Sequence, residues 1–128
     1  MTMKYNASVP IYLQVVDSIR EKIVTGKMSP GEKLPSGRDL ALMYTINPNT
    51  AARVYQTLEQ QKLLFTKRGL GSFVTEDQER VIALREEMAQ ELLRDFLEGL
   101  DRLGISREDA IEMIKLPAPA AKGQKDTD

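Results

Sequence analysis

Between Leu34 and Val74 two helix starts are followed by a basic turn pinned by glycines, and this order restricts the fold more than any other feature of the chain. The first start is Leu34-Pro35-Ser36-Gly37-Arg38-Asp39-Leu40-Ala41, in which Ser36 precedes Asp39 by three positions, the acidic variant of a capping box. The second is Asn47-Pro48-Asn49-Thr50. An asparagine in the cap position accepts hydrogen bonds from the free amides, and a proline in the first helical position gives up a donor that has no partner there anyway. The turn is Lys67-Arg68-Gly69-Leu70-Gly71, flanked by Leu63-Leu64-Phe65-Thr66 and Ser72-Phe73-Val74-Thr75, which read as two short β segments. Gly69 and Gly71 permit the tight backbone angles of such a tip.

Upstream, residues 1–9 lack a pattern and are expected to form a flexible arm. From Pro10 the apolar residues Ile11, Tyr12, Val15, Val16, Ile19 and Ile23 recur at helical spacing up to Gly26, so a helix is expected over about 10 to 25 with its stripe in the core. A second helix near 36 to 44 presents Leu40, Ala41 and Tyr44 inward, and the third buries Val54, Leu58 and Tyr55. The fold class is therefore mainly α with a small β wing: a winged helix-turn-helix over residues 10–76.

The net charge of −1 hides a division along the chain. Residues 1–75 hold ten Lys and Arg against five acids, whereas residues 76–128 hold eight against fourteen. A basic front and an acidic back point to a polyanionic partner for the first part, the alternative being segregation onto two solvated surfaces. Cysteine and histidine are both absent, which removes the softest metal ligands, thiol nucleophiles and the commonest general base. No constellation of the remaining polar residues suggests an enzyme, a metal site or a cofactor. No stretch approaches the roughly 18 to 20 apolar residues of a membrane helix, and without an apolar leader the protein is expected in the cytoplasm.

The polyanion that fits is double-stranded DNA. The second helix of a helix-turn-helix enters the major groove N-terminus first, so short polar groups near its start reach base edges. Asn49 suits adenine, Thr50 a base or a phosphate, and Arg53 guanine or the backbone. Asn47 caps this end, while Lys67 and Arg68 bring positive charge to the wing tip. Taken alone, Asn47-Pro48-Asn49-Thr50 is equally the cap of an ordinary surface helix.

In combination these segments, together with Pro10-Ile11-Tyr12-Leu13-Gln14, Gly31-Glu32-Lys33 and Gly69-Leu70-Gly71-Ser72-Phe73-Val74, resemble the GntR family of bacterial transcription regulators over about residues 10 to 75. The Asn-Pro-Asn-Thr start and the short C-terminal part resemble its YtrA-type branch. The resemblance implies that Arg38 contacts DNA from the second helix, that Ser36 caps that helix, and that Asn49 and Thr50 make base and phosphate contacts with the basic Arg53 one turn on. Arg68 and Gly69 match the tip that enters or skirts the minor groove. Three positions depart from the family pattern. Pro48 stands where longer members often place a DNA-contacting arginine, Lys62 replaces the glycine that commonly ends the recognition helix, and Gly37 takes the place of a helix-favouring residue.

Residues 77–116 are expected to form a two-helix dimerisation region. Val81, Leu84, Met88, Leu92, Phe96, Leu100 and Leu103, with Ile82, Ala89, Leu93 and Leu97 beside them, make a stripe wider than one packed surface uses. Gly104 stops this helix, and Ser106 with Asp109 opens a last one whose inner face is Ala110, Ile111 and Ile114. Leu84, Met88, Leu92, Phe96 and Ile111 are assigned to a homodimer interface, an intramolecular hairpin on a monomer being the alternative. Residues 117–128 are expected to be a disordered tail. Such a hairpin is too small to enclose a sizeable ligand pocket, and nothing identifies an effector. The functional expectation is a homodimeric repressor on a palindromic operator, with control of a transporter operon implied by the family branch. The competing expectation is a winged-helix module that docks proteins.

Overall fold

The computed structural model describes residues 5–116. Its elements run α1 (Ile11–Val24), α2 (Gly37–Tyr44), α3 (Pro48–Gln60), β1 (Leu64–Lys67), β2 (Gly71–Val74), α4 (Gln78–Arg102) and α5 (Arg107–Lys115). The described residues cluster into two compact units that divide within α4, after Glu86.

The N-terminal unit is a three-helix core with a hairpin attached. Val15, Val16, Ile19 and Ile23 of α1 are buried with Leu40, Ala41 and Tyr44 of α2 and with Ala51, Val54 and Leu58 of α3, as the helical spacing requires. Leu63, Leu64 and Val74 bury the root of the hairpin. β1 and β2 pair antiparallel, Leu64 opposite Val74 and Lys67 opposite Gly71, one residue along from the segments expected on either side of the turn. Residues 31–34 add a fragment of a third strand. Lys33 bridges Phe73, and the Leu34 amide donates to the Ser72 carbonyl at 2.8 Å.

The caps form as the sequence requires. Ser36 Oγ accepts from the Asp39 amide at 3.1 Å, and Asn47 Oδ1 accepts from the Asn49 amide at 2.7 Å. α3 ends without its customary glycine: Lys62 adopts φ 65°, the Lys62 amide donates to the Glu59 carbonyl and the Leu63 amide to that of Leu58, each at 3.0 Å. Glycine C-caps make the same pair of bonds, so Lys62 reproduces the motif at the cost of a left-handed backbone. Thr45 does likewise after α2, with φ 56°.

Residues 5–9, expected as a flexible arm, are tied down. Gln14 Nε2 donates to the carbonyls of Asn6 and Val9, Gln14 Oε1 accepts from the Asn6 amide, and the Tyr5 hydroxyl donates to the Tyr44 carbonyl at 2.6 Å. The rest of the arm and the tail expected over 117–128 lie outside the described residues.

In the C-terminal unit Gly104 ends α4 with φ 76°, and Ser106 Oγ accepts from the Asp109 amide at 3.1 Å to open α5. Two expectations for these helices need correction. Leu84, assigned to a subunit interface, is fully buried within the single chain and has no surface to offer a partner. Ile111 and Ile114, expected on an inner face, are 45% and 64% exposed, and only Ala110 of α5 is buried. Leu92, Phe96 and Ile111 are exposed and Met88 is half-buried.

Candidate nucleic-acid interface

The exposed face of α3 is set by what its opposite face buries. With Ala51, Val54 and Leu58 in the core, the 3.6-residue period turns Asn49, Arg53 and Gln56 outward, and all three are exposed. Thr50 is half-buried at the edge of this face. Gln56 was not among the residues expected to read DNA, although its seven-residue spacing from Asn49 places it on the same stripe. The Asn47 side-chain oxygen is engaged in the cap, so its role is to fix the end of the helix that carries the others.

The local frame of α2 is held from both ends. At its start the Tyr55 hydroxyl of α3 donates to the Pro35 carbonyl at 2.6 Å, fixing the turn that carries Ser36. Burial, and then the neighbouring Tyr44 and Asp39, push this phenol well above its ordinary pKa. At its end the Tyr44 hydroxyl is hydrogen-bonded to Ser18 at 3.0 Å and receives the Lys22 ammonium at 3.2 Å. Burial and Tyr44 also raise the Tyr5 phenol. Arg38, on the first turn of α2, is exposed.

The wing presents a mixed aromatic and basic surface. The Leu70 amide donates to the Lys67 carbonyl at 2.9 Å, with Gly69 at φ 78° in the third position of the turn, where an L side chain is disfavoured. Gly71, at φ 117°, has a second constraint: a Cβ there would meet Lys33 Cε at 3.0 Å. The rings of Phe65 and Phe73 stack with centroids 5.7 Å apart, and the Lys67 ammonium stands 5.1 Å from the Phe73 centroid. An open cleft of about 550 Å3 separates the wing from the turn before α2, and Ser36, Lys33 and Gly71 all line it. The structure thus brings the cap of α2 and the turn end of β2 together. Lys33 joins them from a strand fragment too short to leave a periodic signal.

Arg38, Arg53, Lys67 and Arg68 have no ion-pair partner among the described residues. Four exposed cations without ion pairs, on α2, α3 and the wing, are a charge pattern that suits a polyanionic partner. Among the described residues no cluster of side chains suits a metal ion, and no helix is long and apolar enough to cross a membrane.

Comparison with known proteins gives this surface its family. Residues 11–74 match the model of the bacterial regulatory proteins of the gntR family. The uncharacterised transcriptional regulator YhcF of Bacillus subtilis is 37% identical over 90% of this chain and 95% of its own length. The transcriptional repressor YtrA of the same organism is 33% identical over 95% of each. A solved GntR-family transcriptional regulator from Listeria monocytogenes has a TM-score of 0.81 at 39% identity, covering 87% of this chain and 97% of that one. The DNA-binding domain of AraR, solved in complex with operator DNA, has a TM-score of 0.54 at 26% identity over 59% of this chain and 95% of its own. These relatives are transcription regulators rather than enzymes, and a winged helix-turn-helix with a two-stranded wing and C-terminal helices is the architecture described above. By sequence match over half its length and by fold, this chain belongs to the GntR family of DNA-binding transcription regulators.

Proposed function

We propose that the protein is a homodimeric, sequence-specific repressor acting in the cytoplasm, which occupies a palindromic operator and blocks the promoter beneath it. The observation that carries this reading is the outward face of α3, where Asn49, Arg53 and Gln56 stand exposed, together with two further exposed cations that have no ion pair among the described residues, Arg38 on α2 and Arg68 on the wing. Asparagine and glutamine suit adenine, arginine suits guanine, and the wing cations suit the sugar-phosphate backbone.

Dimerisation is supported by the C-terminal unit. Leu92 is 72% exposed, and Phe96, Ile111 and Ile114 are exposed on α4 and α5, with Leu103 exposed in the turn between them. Large apolar side chains left in water favour burial against a partner. Met88, Leu92, Phe96 and Ile111 remain the assigned interface residues, without Leu84. Repression is supported by the similarity to the repressor YtrA, and control of a transporter operon by the resemblance to its branch.

Footprinting on a duplex selected by the protein from a random-sequence pool, with sedimentation of the free protein, tests the reading. The expected results are a dimer and two protected half-sites whose centres lie one helical turn apart, about 34 Å. Arg38→Ala and Arg68→Ala should each lower the slope of log affinity against log salt by about one. Selection that enriches no sequence would favour a protein-docking module, and a monomer giving a single protected half-site would refute the dimer.

A further inference from the structure

Arg53 combines two properties. It lies on the α3 face opposite the core, yet its guanidinium carbon stands 3.8 Å from the ring centroid of Tyr12, a half-buried residue of α1. No carboxylate pairs with it among the described residues. An ion pair would fix the side chain by consuming its donors, whereas stacking on a ring face fixes the plane and leaves the N–H edges pointing outward. The platform is itself anchored: Pro10 stands at the N-cap of α1, and one turn on Gln14 ties back to Asn6 and Val9.

We propose that Tyr12, outside the helix-turn-helix, is a positioning residue for DNA recognition: its ring holds the Arg53 guanidinium preordered on the exposed face of α3, edge outward, before DNA arrives. The inference rests on the DNA-binding reading above. It assigns a role to a residue that composition and spacing marked only as part of the α1 stripe. The Tyr12 hydroxyl makes no hydrogen bond with the described residues, so the ring face alone does the positioning and phenylalanine should serve as well.

The test measures affinity and salt dependence on one duplex, selected by the wild-type protein from a random-sequence pool, with a thermal melt of each variant. Tyr12→Leu, which keeps apolar bulk and removes the ring face, should weaken binding by about three- to fivefold, and Tyr12→Phe should bind within about twofold of wild type. Arg53→Ala should weaken binding and lower the salt slope by about one. Adding Tyr12→Leu to Arg53→Ala should cost nothing further. Wild-type affinity in Tyr12→Leu overturns the proposal. So does an undiminished Tyr12→Leu penalty in the Arg53→Ala background, which would mark an ordinary packing role, and so does a Tyr12→Phe variant as weak as Tyr12→Leu. A wild-type protein that retains no duplex at low salt would instead defeat the DNA-binding reading.

Discussion

Replacing Lys62 with glycine should stabilise the protein although it deletes a side chain and a charge. Lys62 is exposed, makes no hydrogen bond or ion pair with the described residues through its side chain, and holds φ at 65°. A left-handed conformation costs an L residue on the order of 1–2 kcal/mol. Against this, glycine forfeits about 0.5–1 kcal/mol through the greater freedom of its unfolded chain. Taken at mid-range values, the balance is a gain of about 0.5–1 kcal/mol. Both amide bonds of the cap are made by the backbone and survive the substitution, and Leu58 and Leu63, each 0% exposed, continue to close the motif. For a unit of this size such a gain raises the melting temperature by about 2–8 °C. Lys62→Ala is the control, because it removes the same charge and keeps the Cβ that causes the strain. Thermal and urea denaturation should rank glycine above lysine, with alanine near lysine. Equal stabilisation by alanine and glycine would trace the effect to charge or side-chain entropy and refute the backbone argument, as would a glycine variant that melts lower than wild type.

Two further substitutions test the frame around α2. Gly37 opens that helix with an ordinary negative φ, and nothing lies within 4 Å of where its Cβ would stand. Gly37→Ala should therefore add about 0.5–1 kcal/mol in urea denaturation, and a loss would mean that the start of α2 needs the freedom of glycine. Tyr55→Phe removes the bond to Pro35 and should cost about 1 kcal/mol at neutral pH. It should also change the alkaline limb. The native state keeps a phenol proton that the unfolded chain releases above about pH 10. The associated stability is complete below that pH and is lost as pH rises through the raised folded value. Wild type should thus lose stability above pH 10 more steeply than Tyr55→Phe, and parallel alkaline limbs would refute the assignment.

What could be read in the sequence follows the range of the interactions involved. Ser36, Asn47 and Ser106 are legible because a cap is decided by residues two or three positions apart. The wing is legible because Gly69 and Gly71 have few other uses between two β segments. Longer-range features escape. Tyr5 reaches a carbonyl 39 residues away, so residues 5–9 carry no local pattern and read as loose. The stripe on α4 identifies Leu84 and Leu92 as apolar in the same way, and only three-dimensional packing distinguishes the buried one from the exposed one. Lys33 joins the wing through a single bridge, which leaves no alternation to detect. Arg53 was legible as a cation on the recognition helix, whereas its aromatic platform on α1 was not.

The strand fragment beside the wing carries a geometric consequence. Leu34 is bonded to Ser72 of β2, and Ser36, two residues further on, caps α2. So short a link indexes the hairpin to the helix-turn-helix as marks are fixed on a ruler. The interval between the element suited to the major groove and the element suited to the flanking backbone is cut into the protein in advance. On the reading proposed above, DNA that fits both marks would bind without first ordering a floppy hairpin, and DNA whose groove widths depart from that interval would meet a gauge that does not stretch.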